Sequence, residues 1–224
     1  MSKEYEPRVK AIITETISSG ISKDFYDAFD TTLDALWVPA GTVGYTVDTN
    51  AAAKYRGVSG MRVLTRVATP AINDYASVYR RFAKVPAKQI KFSGYFEPLE
   101  NDAQNFDFII QNEAANALGL YTLRFDATNE GIQILHSTGT KTIIAMGAGY
   151  FAGYIYCSLT IDLINNRYVE LYVGSTRYDI SDLIPATGGG AVGESLFRVT
   201  AKATDLAGVG GQGGYIDEFR VEFI

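Results

Sequence analysis

The sequence predicts an all-β protein built as one antiparallel sandwich or barrel, and three observations carry that prediction. The stretch Cys157–Asp179 reads as three successive antiparallel strands joined by turns at Asn165-Asn166 and Gly174-Ser175. Apolar and polar residues alternate with period two in short runs along nearly the whole chain. Helical spacing is almost absent. In the central meander, Leu159, Ile161 and Leu163 alternate with Ser158, Thr160 and Asp162, and Val169, Leu171 and Val173 with Tyr168, Glu170 and Tyr172. One face is therefore dry and the other wet, which calls for a second sheet beneath the first. Asn tolerates the left-handed angles of a two-residue hairpin turn, and Gly in first position suits a type II′ turn.

Taken in order, the chain begins with an appendage. Over residues 1–22, Val9, Ile12, Ile13, Thr16 and Ile17 fall on one helical stripe, with Pro7 at the first turn and Gly20 at the C-cap. The same run is rich in β-branched residues, which favours a strand. A short helix or arm is expected, packed on its own domain or docked on a neighbouring subunit. The β pattern starts at Phe25, Tyr26 and Phe29 and runs through Leu36–Val38 to a turn at Pro39–Gly41. Further strands are expected around Gly57–Val67, where Met61, Val63, Thr65 and Val67 oppose Arg62, Leu64 and Arg66, and at Ser77–Phe82, Gln89–Phe96, Phe106–Gln111, Leu120–Asp126, Gly131–His136, Thr140–Met146 and Tyr154–Leu163. Leu196–Ala203 and Tyr215–Phe223 close the chain. No internal repeat and no linker divides residues 23–224, so one domain is expected there.

Composition narrows the function classes. A chain of 224 residues buries roughly 70–75% of its extended surface, enough for a stable core without staples. The net charge is −5 with no block of like charges, which argues against nucleic acid or anionic membranes as partners. Cys157 is the only cysteine and sits on the apolar parity of its strand, as a small buried hydrophobe. No apolar h-region follows Met1-Ser2-Lys3-Glu4, and no run reaches membrane-spanning length. A cytoplasmic or virion-associated location is the matching expectation.

Three segments resemble a known superfamily. Trp37 followed by Tyr55-Arg56-Gly57-Val58-Ser59-Gly60-Met61-Arg62-Val63 is similar to the opening strands of concanavalin A-like lectin/glucanase (laminin G-like) domains. The meander Leu159–Tyr178 and the closing Gly214-Tyr215-Ile216-Asp217-Glu218-Phe219-Arg220-Val221 resemble later strands of the same domains. The resemblance covers about residues 25–224. It implies a two-sheet jelly-roll β-sandwich with a concave face, in a superfamily whose members bind glycans, cleave them or hold other proteins.

Candidate sites follow. The glucanases of that superfamily carry Glu-x-Asp-x-x-Glu on a concave strand, and this sequence has no such spacing. Asp217, Glu218 and Glu222 share the last strand, but the first two point to opposite faces. His136 is the only histidine, at a strand end, where a hydrogen-bonding role is expected. Zinc lacks ligands. Glu100, Asn101, Asp102, Asn105 and Asp107 cluster hard oxygens of the type calcium prefers, without EF-hand spacing. Calcium at Glu100, Asp102, Asn105 and Asp107 is thus one reading and a polar turn the other. Asp24, Asp27, Asp30 and Asp34 form a second acidic run. The glycine patterns at Gly147–Ala152 and Gly208–Gly213 lead into strands, so neither offers a helix N-terminus to a pyrophosphate. Tyr154, Tyr156, Tyr168 and Tyr172 lie on the polar phase of the meander, as a platform for sugar rings or a contact surface for protein.

The sequence therefore points to a non-catalytic structural or interaction module. The first form is a self-assembling or surface component such as a phage or viral capsid or decoration protein, with protein partners. The second is a lectin-like carbohydrate-binding module. A glycoside hydrolase or lyase comes third, because the acidic spacing argues against it.

Overall fold

A computed structural model describes residues 25–83, 88–99, 104–114, 117–128, 131–145, 153–188 and 196–224. The arm expected over residues 1–22 lies outside these, as do Asp24, Glu100, Asn101, Asp102 and the Gly147–Ala152 pattern.

Among the described residues sixteen strands follow in chain order: β1 Phe25–Asp27, β2 Val38–Gly41, β3 Thr46–Asn50, β4 Gly60–Leu64, β5 Tyr75–Ala83, β6 Gln89–Pro98, β7 Gln104–Ala114 and β8 Ala117–Asp126. The remainder are β9 Gly131–His136, β10 Gly139–Ala145, β11 Ile155–Asp162, β12 Arg167–Val173, β13 Thr176–Asp179, β14 Ala186–Gly188, β15 Leu196–Asp205 and β16 Gly213–Phe223. They form two antiparallel sheets of eight strands. The first has the order β13-β12-β11-β6-β16-β4-β3, with β1 also on β16. The second has the order β10-β9-β8-β7-β15-β5-β2, with β14 also on β8. The two-sheet jelly roll expected from the sequence is the architecture found.

The core lies between the sheets. Alternation turns Ile90, Phe92 and Phe96 of β6 inward, with Leu159 and Ile161 of β11 and Ile216, Phe219 and Val221 of β16. Facing them are Phe106, Phe108 and Ile110 of β7, Leu123 and Phe125 of β8, and Val199 of β15. Ring contacts cross the gap: Phe96 to Phe125 at 5.5 Å, Phe92 to Phe108 at 6.5 Å and Phe108 to Phe219 at 5.7 Å between centroids. Each buried phenylalanine contributes about 1.5–3 kcal/mol through lost apolar hydration. Cys157 is buried among these groups, and burial pushes its thiol pKa upward.

Several local expectations need correction. Trp37 is buried just before β2, and Pro39–Gly41 belong to that strand instead of turning after it. Asp162 pairs with Arg167, so the first turn of the meander has four residues, Leu163–Asn166, with only Asn166 left-handed at φ 47°. The Asp162 carboxylate organises that turn, accepting Ile164 N–H and Asn165 N–H, both at 2.9 Å. The second turn has the expected two residues, with Gly174 at φ 58°. β12 carries a bulge, because Thr160 opposes Glu170 whereas Ile161 opposes Tyr168, leaving Val169 extra. The bulge reverses the parity of Tyr168, which is fully buried. β16 is bulged too, at Glu218 (φ 54°), between Asp217 and Arg220.

Candidate functional site: a tyrosine platform on the first sheet

Along β6 the outward residues are Lys91, Ser93, Tyr95 and Glu97, and along β11 they are Tyr156, Ser158 and Thr160. Antiparallel register puts Tyr156 opposite Tyr95, and on the other side Tyr95 opposite Asp217 and Glu97 opposite Tyr215. Four strands in a row, β12, β11, β6 and β16, thus bring tyrosines and carboxylates from distant parts of the sequence onto one outer face.

A loop completes the platform. The Asp217 carboxylate accepts the backbone N–H of Tyr55 at 2.7 Å, of Arg56 at 2.9 Å and of Glu218 at 2.8 Å. These bonds pin residues 54–59 onto the sheet. Gly60 allows the close approach, since a Cβ there would stand 1.6 Å from the Ala53 carbonyl oxygen. The Tyr55 ring consequently stacks on Tyr95, with centroids 3.7 Å apart and planes at 15°. Tyr154 leans on Tyr55 at 5.5 Å, and Tyr156 on Tyr95 at 5.3 Å. Tyr55 keeps 40% of its surface exposed. The Arg56 guanidinium lies 5.4 Å from the Tyr55 centroid.

Burial is the leading influence on the acids and phenols here. It raises the Glu97 carboxyl with no compensating hydrogen bond, and raises Asp217 against the pull of its three backbone donors. Tyr95 is raised by burial and then by its neighbour Tyr55, and Tyr154 by burial and then by the charges of Glu97 and Asp217. The Tyr154 hydroxyl is buried and has no hydrogen-bond partner among the described residues.

Of the four tyrosines expected from the sequence, Tyr154 and Tyr156 stand on this platform. Tyr172 stands one strand further, opposite Ser158. Tyr168 does not join them. Its hydroxyl donates to the Leu135 carbonyl at 2.6 Å and accepts the Thr122 N–H at 2.8 Å, in the core against Tyr121. Sequence reasoning missed Tyr55 and Tyr95 as site residues. Tyr95 has the outward parity of its strand, but nothing local announces that β6 lies between β11 and β16.

Of the calcium ligands expected from the sequence, Glu100 and Asp102 lie outside the described residues, and Asn105 and Asp107 lie within them. Asn105 and Asp107 lie on strand β7, not in a loop, and the Asp107 carboxylate is held by Arg124 in two bonds of 2.7 and 2.8 Å. Among the described residues no three His, Cys, Asp or Glu side chains are grouped to hold a metal. The second acidic run is structural where it is described. Asp27 accepts Trp37 Nε1–H, Asp30 accepts the Val58 and Ser59 N–H groups, and Asp34 binds Arg80. His136 meets Thr138 Oγ1 at 3.2 Å through Nδ1.

No protein-family model and no curated protein sequence matches the chain. Solved structures do. The lectin UEA-II complexed with galactose superposes with a TM-score of 0.55 at 10% identity, covering 89% of this chain and 98% of that one. A β-glucanase of Bacillus licheniformis gives 0.55 at 12% identity, covering 90% and 98%. The fold is the concanavalin A-like jelly roll. An endo-β-1,4-glucuronan lyase from the fungus Trichoderma reesei shares it, at a TM-score of 0.53 and 12% identity over 89% of this chain and 95% of that one. At these identities the likeness is one of concanavalin A-like fold, and activity has to be argued from the site.

Proposed function

We propose that this jelly roll is a non-catalytic glycan-binding module whose binding face is the tyrosine platform. The observation that carries the proposal is the Tyr55–Tyr95 stack, braced by Asp217 and flanked by Tyr154 and Tyr156. Rings held in fixed orientations offer flat apolar surface to the C–H faces of sugars at little entropic cost, and their hydroxyls and the adjacent acids serve sugar hydroxyls. Tyr95 and Tyr156 face each other on adjacent strands about 4.8 Å apart, and Tyr172, opposite Ser158 on the next strand, stands diagonally from Tyr156, so the three form an oblique line able to follow more than one sugar unit. The galactose-bound lectin of the same fold supports this reading. The capsid or decoration role expected from the sequence finds no support in the comparisons.

The test is retention on a panel of immobilised polysaccharides, with Tyr95→Ala and Tyr156→Ala beside the parent chain. Both rings are partly exposed, so thermal midpoints should stay within a few degrees. Affinity for the retained polysaccharide should fall at least about tenfold, the loss expected when a stacking ring is removed from a binding hot spot. Unchanged retention in both variants would move the binding face elsewhere, and no retention by the parent chain would defeat the proposal.

A further inference from the structure

We infer that the platform takes a glycan bearing a free amino group, with Glu97 as the counter-charge of the ammonium. This rests on the glycan-binding reading and narrows its ligand class.

Most carboxylates of this outer face already have partners. Glu222 is paired with Lys91 at 2.8 Å, Glu170 with Arg177 at 2.6 Å and Asp48 with Arg62 at 2.6 Å. Asp217 is consumed by three backbone N–H groups. Glu97 differs from all of these, since it takes no hydrogen bond and no ion pair from any described residue. It is half-buried, opposite Tyr215 and two residues along β6 from the stacked Tyr95. A partly desolvated anion without a partner is unfavourable, and a cation brought by a ligand removes that cost. Arg56 does not supply it, because its guanidinium lies over the Tyr55 ring.

The surroundings select the kind of cation. Aromatic faces attract organic ammonium groups, most strongly where water is excluded. Tyr215 stands opposite Glu97, Tyr95 lies two residues along β6, and Tyr55 stacks on Tyr95 with Tyr154 beside it. The Tyr154 hydroxyl, buried beside them, has no hydrogen-bond partner among the described residues. A uronate would be repelled by Glu97 and Asp217, and a neutral sugar would leave the charge of Glu97 uncompensated. A sugar amine meets the carboxylate while the ring of its neighbour lies along Tyr156.

Three oligomers of equal length with the same β-1,4-glucan backbone isolate the effect, differing only at C2: amino (chitosan), acetamido (chitin) and hydroxyl (cellulose). Titration calorimetry of the full chain should find the amino oligomer bound about tenfold or more tighter than the other two. Glu97→Gln should bring it down to their level. Asp182→Asn removes an exposed carboxylate on another part of the surface, paired with Lys141, and should leave the preference intact. Equal affinity for all three oligomers overturns the inference and leaves glycan binding standing. No binding of any oligomer also overturns it, and the polysaccharide panel then judges glycan binding separately. A preference that survives Glu97→Gln would mean unspecific attraction to an acidic protein, and overturns it too. Competition by tetramethylammonium at equal concentration would assign the corner to a bare ammonium, and likewise overturns the amino-sugar assignment.

Discussion

Single side chains decide what the outer faces can offer, and Tyr168 is the clearest case. A tyrosine on the wet phase of a strand is expected to stand in solvent. One extra residue, Val169, turns it into the core, where its hydroxyl bridges the Leu135 carbonyl and the Thr122 N–H. A buried hydroxyl with both roles filled stabilises the junction between the sheets. Tyr168→Phe should therefore lower stability by about 1–3 kcal/mol, the cost of leaving two buried backbone groups short of a partner. Chemical denaturation measures this, and glycan retention of the folded variant should be unchanged. The contrast with Tyr156 is a matter of position, since the two residues have the same chemistry. Asp107 teaches the same lesson, because an oxygen donor that reads as a metal ligand is committed to Arg124.

At the scale of elements, loops are held to the sheets by buried aspartates more than by their own propensities. Asp217 pins the Tyr55 loop, and Asp162 organises the turn after β11. Asp205, fully buried at the end of β15, accepts the N–H groups of Ala207 at 3.0 Å, Gly208 at 2.7 Å and Gly210 at 2.7 Å. Its loop is the pattern Gly208–Gly213, which imitates a dinucleotide motif. Glycines 208, 210 and 211 are left-handed there, and a Cβ on Gly210 would come 2.7 Å from the Arg66 carbonyl oxygen. The glycines serve a tight loop packed on residues 66–72. Asp205→Ala should cost about 2 kcal/mol or more through unsatisfied backbone donors, read as a lower denaturation midpoint. Amide exchange should quicken at Gly208 and Gly210 first, since the carboxylate is what closes that loop.

For the whole molecule, the question is whether the sandwich binds or cleaves. Glycoside hydrolysis needs two carboxyl groups placed across one bond. On the outward row of β7 the described side chains are Asn105, Asp107, Ile109 and Gln111, and Asp107 is tied to Arg124. The platform offers Glu97, while Asp217 is locked by backbone donors. Among the side chains that are described, neither face has a second free carboxylate. Incubation with β-glucans and polyuronates should release neither reducing ends nor unsaturated sugars above the buffer level. Release that co-purifies with the chain and falls in Glu97→Gln would turn the platform into an active site.

The sequence by itself determined the fold class, the positions of most strands and the inward parity of the core, because period-two alternation is written in each strand separately. It also placed Tyr154, Tyr156 and Tyr172 on the wet phase of the meander. Tertiary structure alone decided which strands are neighbours. β6 lies between β11 and β16, which joins Tyr95 to Tyr156 on one side and to Asp217 on the other. Such pairings are made by backbone hydrogen bonds that are nearly alike for any side chain, across long loops whose closure leaves no local mark. The bulge that buries Tyr168 belongs to the same class, since one extra residue reverses every later parity and only the facing strand reveals where it falls.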